Sequence, residues 1–207
     1  TALTGTAANV ATVVATDGGA GVANKISLPA DYDVTLTGSA ASGDIISIDA
    51  NTSGHITGTG ITAFTGTAAN IATVIATEGS AGQANKISLD NDFTATVDAG
   101  SVAAADLNTI SAATGGTVTA TGASTITGTS TAVAAVVADS QITVAADYDV
   151  TLTGSAAAAD VISIDADTTG HITASGLTAL TGTAANVATV VATDGSAGQA
   201  NKISLPA

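Results

Sequence analysis

The chain has 207 residues, of which 45% are hydrophobic but only 2% aromatic. Seventeen acidic residues against three basic ones give a formal net charge of −14 at pH 7. Nucleic acid is excluded as a partner, because binding it requires a basic surface. The sequence has no Cys, which excludes disulfide bridges and thiolate metal sites, and no apolar run reaches the roughly 20 residues that a membrane helix needs.

The first thirty residues contain three predicted elements. Leu3 is apolar and its neighbour Thr4 is polar, an alternation that is typical of a half-buried strand. In the segment 7–15 (AANVATVVA), Val residues fall at helical spacing after Thr6, a suitable N-cap. Ala favours a helix whereas Thr and Val favour a strand, so we predict only a short helical turn or corner there. The segment 25–28 (KISL), which recurs at 86–89 and 202–205, alternates as a strand.

Further along the chain, two related segments also read as strands: 44–50 (DIISIDA) and 160–166 (DVISIDA). Gly-Gly, Ser-Gly and Asn-Thr-Ser-Gly stretches between the elements predict bends.

Internal copies dominate the sequence. Residues 1–30 match residues 178–207 at 28 of 30 positions, and residues 30–89 match residues 146–205 at 48 of 60. The offsets combine into a period of 177 residues. Equivalent positions recur every 26 to 33 residues, and they are Gly5, Gly38, Gly66, Ala99, Gly128, Gly154 and Gly182. Two residues before each of them lies an apolar residue, namely Leu3, Leu36, Phe64, Val97, Ile126, Leu152 or Leu180. Such regularity predicts an inward-facing apolar column.

The repeats predict an all-β fold, an elongated parallel β-solenoid with coils of about 26–33 residues and room for a short helical turn in each coil. Residues 1–207 would form one continuous domain, with units 1–60, 61–122, 123–176 and 177–207, and we expect it to be a fragment of a longer tandem array.

A resemblance points the same way. The segments TGTAANVATVVA and DVTLTGSAA resemble repeats of very large bacterial surface and exported proteins, including cyanobacterial ones, that are predicted as β-solenoids. This resemblance implies an extracellular or cell-surface location and an adhesive, sheath or filament role. It implies no catalytic residue.

Calcium is the one metal that the sequence suggests. Asp31 and Asp33 flank Tyr32, Asp147 and Asp149 flank Tyr148, and Asp90 and Asp92 stand at the related place in the chain. Calcium prefers several oxygen ligands, which such loops could supply. The alternative is that these Asp residues form turns and keep the protein soluble.

No catalytic or cofactor-binding residue is predicted, and the chain is not expected to be an enzyme. His55 and His171 are equivalent residues 116 positions apart, too far along the fold to share a metal ion. The glycine-flanked Ser of a nucleophile elbow is missing.

The sequence therefore predicts an extracellular structural protein that forms a rod, filament or sheath, with self-association or neighbouring repeats as its partners. One alternative is the stalk of a giant adhesin. Another is ice binding through Thr residues, for which Thr57, Thr59, Thr117, Thr119 and Thr121 are candidates, although the triplets before the equivalent Gly positions are irregular. Lys25, Lys86 and Lys202 are expected to pair with nearby Asp residues.

Overall fold

The computed structural model describes residues 2–17, 26–78, 87–194 and 203–206. Within them the chain forms seven helices, each following a strand: α1 Ala7–Ala15, α2 Ser42–Asp49, α3 Ala68–Ala76, α4 Ala104–Ala113, α5 Ser130–Ala138, α6 Ala158–Asp167 and α7 Ala184–Ala192. The strands are β1 Ala2–Gly5, β2 Asp33–Ala41, β3 Ile56–Gly66, β4 Ile87–Leu89, β5 Thr94–Val97, β6 Gly100–Ala103, β7 Val118–Ala120, β8 Ala123–Gly128, β9 Ile142–Val144, β10 Asp149–Ala157, β11 Ile172–Thr181 and β12 Ile203–Ser204.

The strands form two sheets in which every pairing is parallel. One sheet has the order β1-β2-β3-β5-β7-β9, with β4 also paired to β3, and the other has the order β12-β11-β10-β8-β6. The helices pack against one another in chain order, from α1 to α7. Parallel neighbours need crossover connections, and here the helices supply them.

The helices correct the prediction of fold class. The chain folds as a small mixed α/β domain with two parallel sheets, so the prediction of an all-β, elongated parallel β-solenoid is wrong. The segments 44–50 and 160–166 are not strands but lie in α2 and α6. The segment 7–15 is not a single turn but the nine-residue helix α1, whose N-cap Thr6 accepts a hydrogen bond from the backbone of Asn9.

The resemblance is corrected by the same finding. The resemblance implied a β-solenoid, whereas the described residues form a mixed α/β fold with seven helices and two parallel sheets. The tandem-repeat and adhesin descriptions lose their support together with the solenoid on which they depended. The sequence copies themselves are real, but they fold as parts of this one domain.

The apolar residues two positions before each equivalent Gly are buried in the interior, but they do not form one column. Leu36, Phe64, Ile126 and Leu152 have no exposed surface, and Val97 is 5% exposed. Leu3 and Leu180 are half-buried. The register pairs these residues with other positions, for example Leu3 with Val34 and Phe64 with Ala95, and their strands belong to two sheets. The prediction that they are buried is confirmed, and the prediction that they form one column is wrong.

Each helix has the same pattern at its first, fourth and seventh positions. The first is always Ala or Ser and the others are always Val, Ile or Leu: Ala7, Val10, Val13; Ser42, Ile45, Ile48; Ala68, Ile71, Val74; Ala104, Leu107, Ile110; Ser130, Val133, Val136; Ala158, Val161, Ile164; Ala184, Val187, Val190. This spacing places the three side chains on one helix face. In α2 to α6 all three are buried, whereas Val13 of α1 and Val187 of α7 are half-buried and Ala184 is exposed.

A tight turn recurs at three equivalent places. In the last of them, Thr168 donates its hydroxyl to the carbonyl of Tyr148, and the backbone N–H of Gly170 donates to Thr168 Oγ1 at 3.0 Å. Thr52 with Gly54 and Thr114 with Gly116 make the same contacts. A Cβ atom on Gly170 would lie 2.1 Å from the Tyr148 carbonyl oxygen, so this turn requires Gly. No described helix is long and apolar enough to cross a membrane.

Candidate functional site

Columns of hydroxyl groups run across both sheets. The parallel register aligns four hydroxyl residues on successive strands in each of three ladders: Thr4, Thr35, Thr57 and Ser88; Thr65, Thr96, Thr119 and Thr143; Thr127, Thr151, Thr173 and Ser204. Neighbouring hydroxyls in a ladder are about 4.8 Å apart, the spacing of paired strands. Side chains in these ladders are half-buried or exposed, so solvent reaches the columns.

The sequence did not reveal these ladders. Triplets that precede the equivalent Gly positions are irregular in Thr, and this irregularity argued against a Thr array. The register places Thr65 of β3 beside Thr96, whose strand lacks a Thr at the corresponding position before Ala99. Only the pairing of strands, not the spacing along the chain, brings these hydroxyls together.

Two Ser–His pairs lie on the same ladders. His55 Nε2 is 3.0 Å from Ser88 Oγ, and His171 Nε2 is 3.1 Å from Ser204 Oγ. Each pair arises because the His precedes a ladder Thr by two residues, and that Thr pairs with the Ser of the next strand. The distance allows proton transfer between the two side chains. His and Ser lie diagonally across two neighbouring strands in each pair. This position alone accounts for the contact, as a polar interaction between the strands.

The six Asp residues of the predicted calcium sites are all exposed. Asp33 and Asp149 each use Oδ1 to accept a hydrogen bond from the backbone N–H of the next strand's His, at 2.9 and 2.7 Å. Asp90 Oδ1 accepts from the backbone of Asn91 at 3.0 Å. Over the described ranges, no group of three or more His, Asp or Glu residues is placed to hold a metal ion. Calcium binding therefore stays a prediction. The hydrogen bonds of Asp33, Asp90 and Asp149 to backbone N–H groups support the alternative, that these residues stabilise turns.

Two equivalent carboxyls are poorly solvated. The Oδ1 atoms of Asp49 and Asp165 are buried without a hydrogen-bond partner among the described residues, and burial raises the pKa of both groups. A raised folded-state pKa means that ionisation opposes folding. The stability that the protonated forms of Asp49 and Asp165 contribute is thus fully present below the ordinary Asp pKa of about 3.9. It is lost as the pH rises through the pKa that these groups have in the folded protein.

The equivalent residues Tyr32 and Tyr148 differ in their hydroxyl contacts. Tyr148 donates to Asp167 Oδ2 at 2.9 Å, and burial together with this hydrogen bond raises the pKa of Tyr148. Asn51 replaces Asp167 in the other copy, and the buried Tyr32 hydroxyl has no partner among the described residues. Lys25, Lys86 and Lys202 lie outside the described residues, and so do their predicted ion pairs.

The most distinctive apolar surfaces lie at the two ends of the row of helices. The C-terminal end face consists of Leu180, Val187 and Val191, with Leu205 beside them, and it borders a groove of about 340 Å³. At the N-terminal end, Leu3 and Val13 border a groove together with Thr4, Asn9 and Val10. Val191 is 53% exposed and Ile26 is 39% exposed, and they are the exposed large hydrophobic residues of the described chain.

The two end faces are formed by two copies of the same sequence. Val191 is the copy of Val14, which is 4% exposed because it faces α2, and Ile26 is the copy of Ile203, which is 1% exposed. Conversely, Val190 is 1% exposed at the last helix while its copy Val13 is half-buried at the first. Each end therefore exposes the side chains that the other end covers.

The internal copy of the same unit shows what full coverage looks like. Phe64 and Ile71 have no exposed surface, and Val74 and Ile87 are each 1% exposed. These residues correspond to Leu3, Val10, Val13 and Ile26 of the first copy. Ile75, the internal copy of Val191, is half-buried. The internal unit thus buries the copies of Leu3, Val13 and Ile26 but leaves the copy of Val191 partly exposed.

Comparison with known proteins supplies no further information on this surface. No protein-family model, curated protein or solved structure matches the chain.

Proposed function

We propose that this protein is a non-enzymatic structural building block that self-associates into a rod, filament or sheath, at the cell surface or outside the cell. The single observation that carries the proposal is the regular stacking of related strand–helix units, in which every strand pairing is parallel and the helices pack in chain order from α1 to α7. Such a row can be lengthened by adding further units of the same kind. A contact that repeats head to tail propagates into a filament if it does not close into a ring.

The test is the mass of the full chain as a function of concentration and salt. We expect the average mass by light scattering to rise with protein concentration. It should rise more steeply at high salt, because screening reduces repulsion between chains of net charge −14. Elongated particles in negative-stain electron microscopy would support the proposal. A chain that stays monomeric up to millimolar concentration in high salt would contradict it, and antibody labelling of native cells tests the location.

Ice binding is a second candidate, favoured by the ladder of Thr65, Thr96, Thr119 and Thr143. Thr94 and Thr117 precede two of these residues by two positions and therefore lie on the same face, so hydroxyls repeat in two directions. We expect the wild-type chain to slow ice recrystallisation and the double variant Thr96→Lys/Thr119→Lys to lose this effect. Thr109→Lys, on the exposed side of α4, is the matched control. Unchanged ice growth with the wild-type chain would rule the candidate out.

A further inference from the structure

A groove inside the continuously described range 87–194 combines apolar walls with one carboxylate. It lies between the last turns of α5 and α6 and has a volume of about 260 Å³. Val136, Val137, Ile142 and Val144 form its apolar walls, and Asp167 is the one charged residue that lines it. We propose that this groove binds a small aliphatic ammonium ion, whose alkyl chain lies between the apolar side chains and whose charged head pairs with Asp167. This proposal does not depend on self-association.

The carboxylate of Asp167 is held in place from the core. The hydroxyl of the buried Tyr148 donates a hydrogen bond to Asp167 Oδ2 at 2.9 Å. Asp167 is exposed, and its Oδ1 has no hydrogen-bond partner among the described residues, so this oxygen can accept from a ligand. An ammonium group has three donors, and a hydrogen bond between two charged groups is about twice as strong as one between neutral groups.

Two sequence differences distinguish this groove from the equivalent place of the other copy, 116 residues earlier. Val144 stands where that copy has Leu28, so the side chain is one methylene shorter. Asp167 stands where that copy has Asn51, so a carboxylate replaces an amide. The first difference leaves more room for a ligand, and the second adds the negative charge that would attract a cation.

Charge and size define the class of ligand. A net charge of −14 attracts cations to the protein and repels anions. The volume of the groove is below the roughly 300 Å³ at which sites for drug-sized ligands begin, so the alkyl chain must be short. Quaternary ammonium ions are recognised by aromatic faces, and none of the residues that line this groove is aromatic. A primary ammonium ion, which needs an acceptor oxygen instead, therefore fits best.

The experiment titrates the full chain with n-pentylammonium chloride and follows binding by protein NMR chemical shifts. Asp167→Asn removes the charge, and Val144→Leu fills the groove. Each of these variants introduces the residue that the other copy already holds at that place. Asp98→Asn, at an exposed position outside the groove, is the matched control for the loss of a carboxylate. Circular dichroism verifies that all three variants are folded.

We expect the wild type to bind n-pentylammonium with a dissociation constant of about 1 mM, a weak affinity suited to one ion pair and a short alkyl chain. Ethylammonium should bind at least about tenfold more weakly, because it buries three fewer CH₂ groups. Asp167→Asn and Val144→Leu should each weaken the binding of n-pentylammonium at least about tenfold, whereas Asp98→Asn should bind as the wild type does.

Three results would overturn the proposal. The first is a wild type that does not bind n-pentylammonium, and the second is equal affinity for the two amines, which would show that no alkyl chain is buried. The third is an equal loss of binding in Asp167→Asn and Asp98→Asn, because the amine would then act only as a counterion of the acidic surface.

Discussion

Leu36→Asp should unfold most of the protein, and we expect this to be the largest effect of any single substitution discussed for the chain. Leu36 has no exposed surface and belongs to the hydrophobic core. Removing a buried Leu side chain costs about 2–5 kcal/mol, and an unpaired carboxylate in its place adds several kcal/mol more. The sum reaches the total stability of an ordinary domain, about 5–15 kcal/mol.

Thr37→Asp is the matched control for Leu36→Asp. The neighbouring Thr37 is exposed on the other side of β2, so the same new charge remains in water. We expect a change within about 0.5 kcal/mol, as for other surface substitutions. Urea denaturation followed by circular dichroism gives the free energy of unfolding of both variants. Equal stability of the two variants would show that the Leu36 side chain does not face the core in solution.

Gly170→Ala is expected to have the second largest effect, a loss of about 3 kcal/mol of stability. A Cβ atom at this position would lie 2.1 Å from the Tyr148 carbonyl oxygen and 2.5 Å from its carbonyl carbon, which are backbone atoms and cannot rotate away. The strand would have to move, and with it the hydrogen bonds that link Thr168 to Tyr148 and Gly170. Thermal unfolding should report a substantially lower Tm.

Gly43→Ala tests whether this loss comes from the close approach and not from Gly replacement in general. Gly43 lies in α2, and a Cβ atom there would meet nothing within 4 Å. Ala favours a helix over Gly, so the substitution should raise stability by about 0.5 kcal/mol. A fall in Tm similar to that of Gly170→Ala would argue against the proposed role of the turn.

The turn explains a recurring Thr–x–Gly pattern in the sequence. Thr and Gly recur two residues apart as Thr52 and Gly54, Thr114 and Gly116, and Thr168 and Gly170. The predicted bend is confirmed, because a turn with the same Thr–Gly hydrogen bond lies at each of these places. The sequence offered no means of seeing that each Gly touches the strand of the preceding unit, because that contact spans about twenty residues of chain.

The sequence by itself determined the local apolar pattern of this protein. The alternation around Leu36 and Leu152, the helical spacing of Val10 and Val13, and the near-identity of residues 1–30 with residues 178–207 could all be read without a structure. Burial of the recurring apolar residue followed from them, because an apolar residue at equivalent positions of each copy favours the interior. Its alignment into one column did not follow, since the register of the strands offsets these residues from one another. The unit boundaries of the repeat and calcium binding stay predictions.

Only the tertiary structure decided that the segments between the strands are helices. In 44–50 and 160–166, Ile and Val alternate with polar residues as in a strand, and β-branched residues favour that interpretation locally. The same residues also satisfy helical spacing at Ile45 and Ile48, or Val161 and Ile164, and packing against neighbouring helices outweighs the local propensity. Hence the all-β solenoid was the wrong inference from a correct pattern.

Tertiary structure also decided what lies on the surface. Hydroxyl ladders depend on register between residues that are 22 to 31 positions apart along the chain, which no local pattern contains. The two end faces depend on which copy of a sequence has a neighbour: Val14 and Val191 occupy identical sequence contexts, yet one is 4% and the other 53% exposed. Burial is a property of the packed neighbours, so identical residues acquire different surfaces wherever the row of units ends.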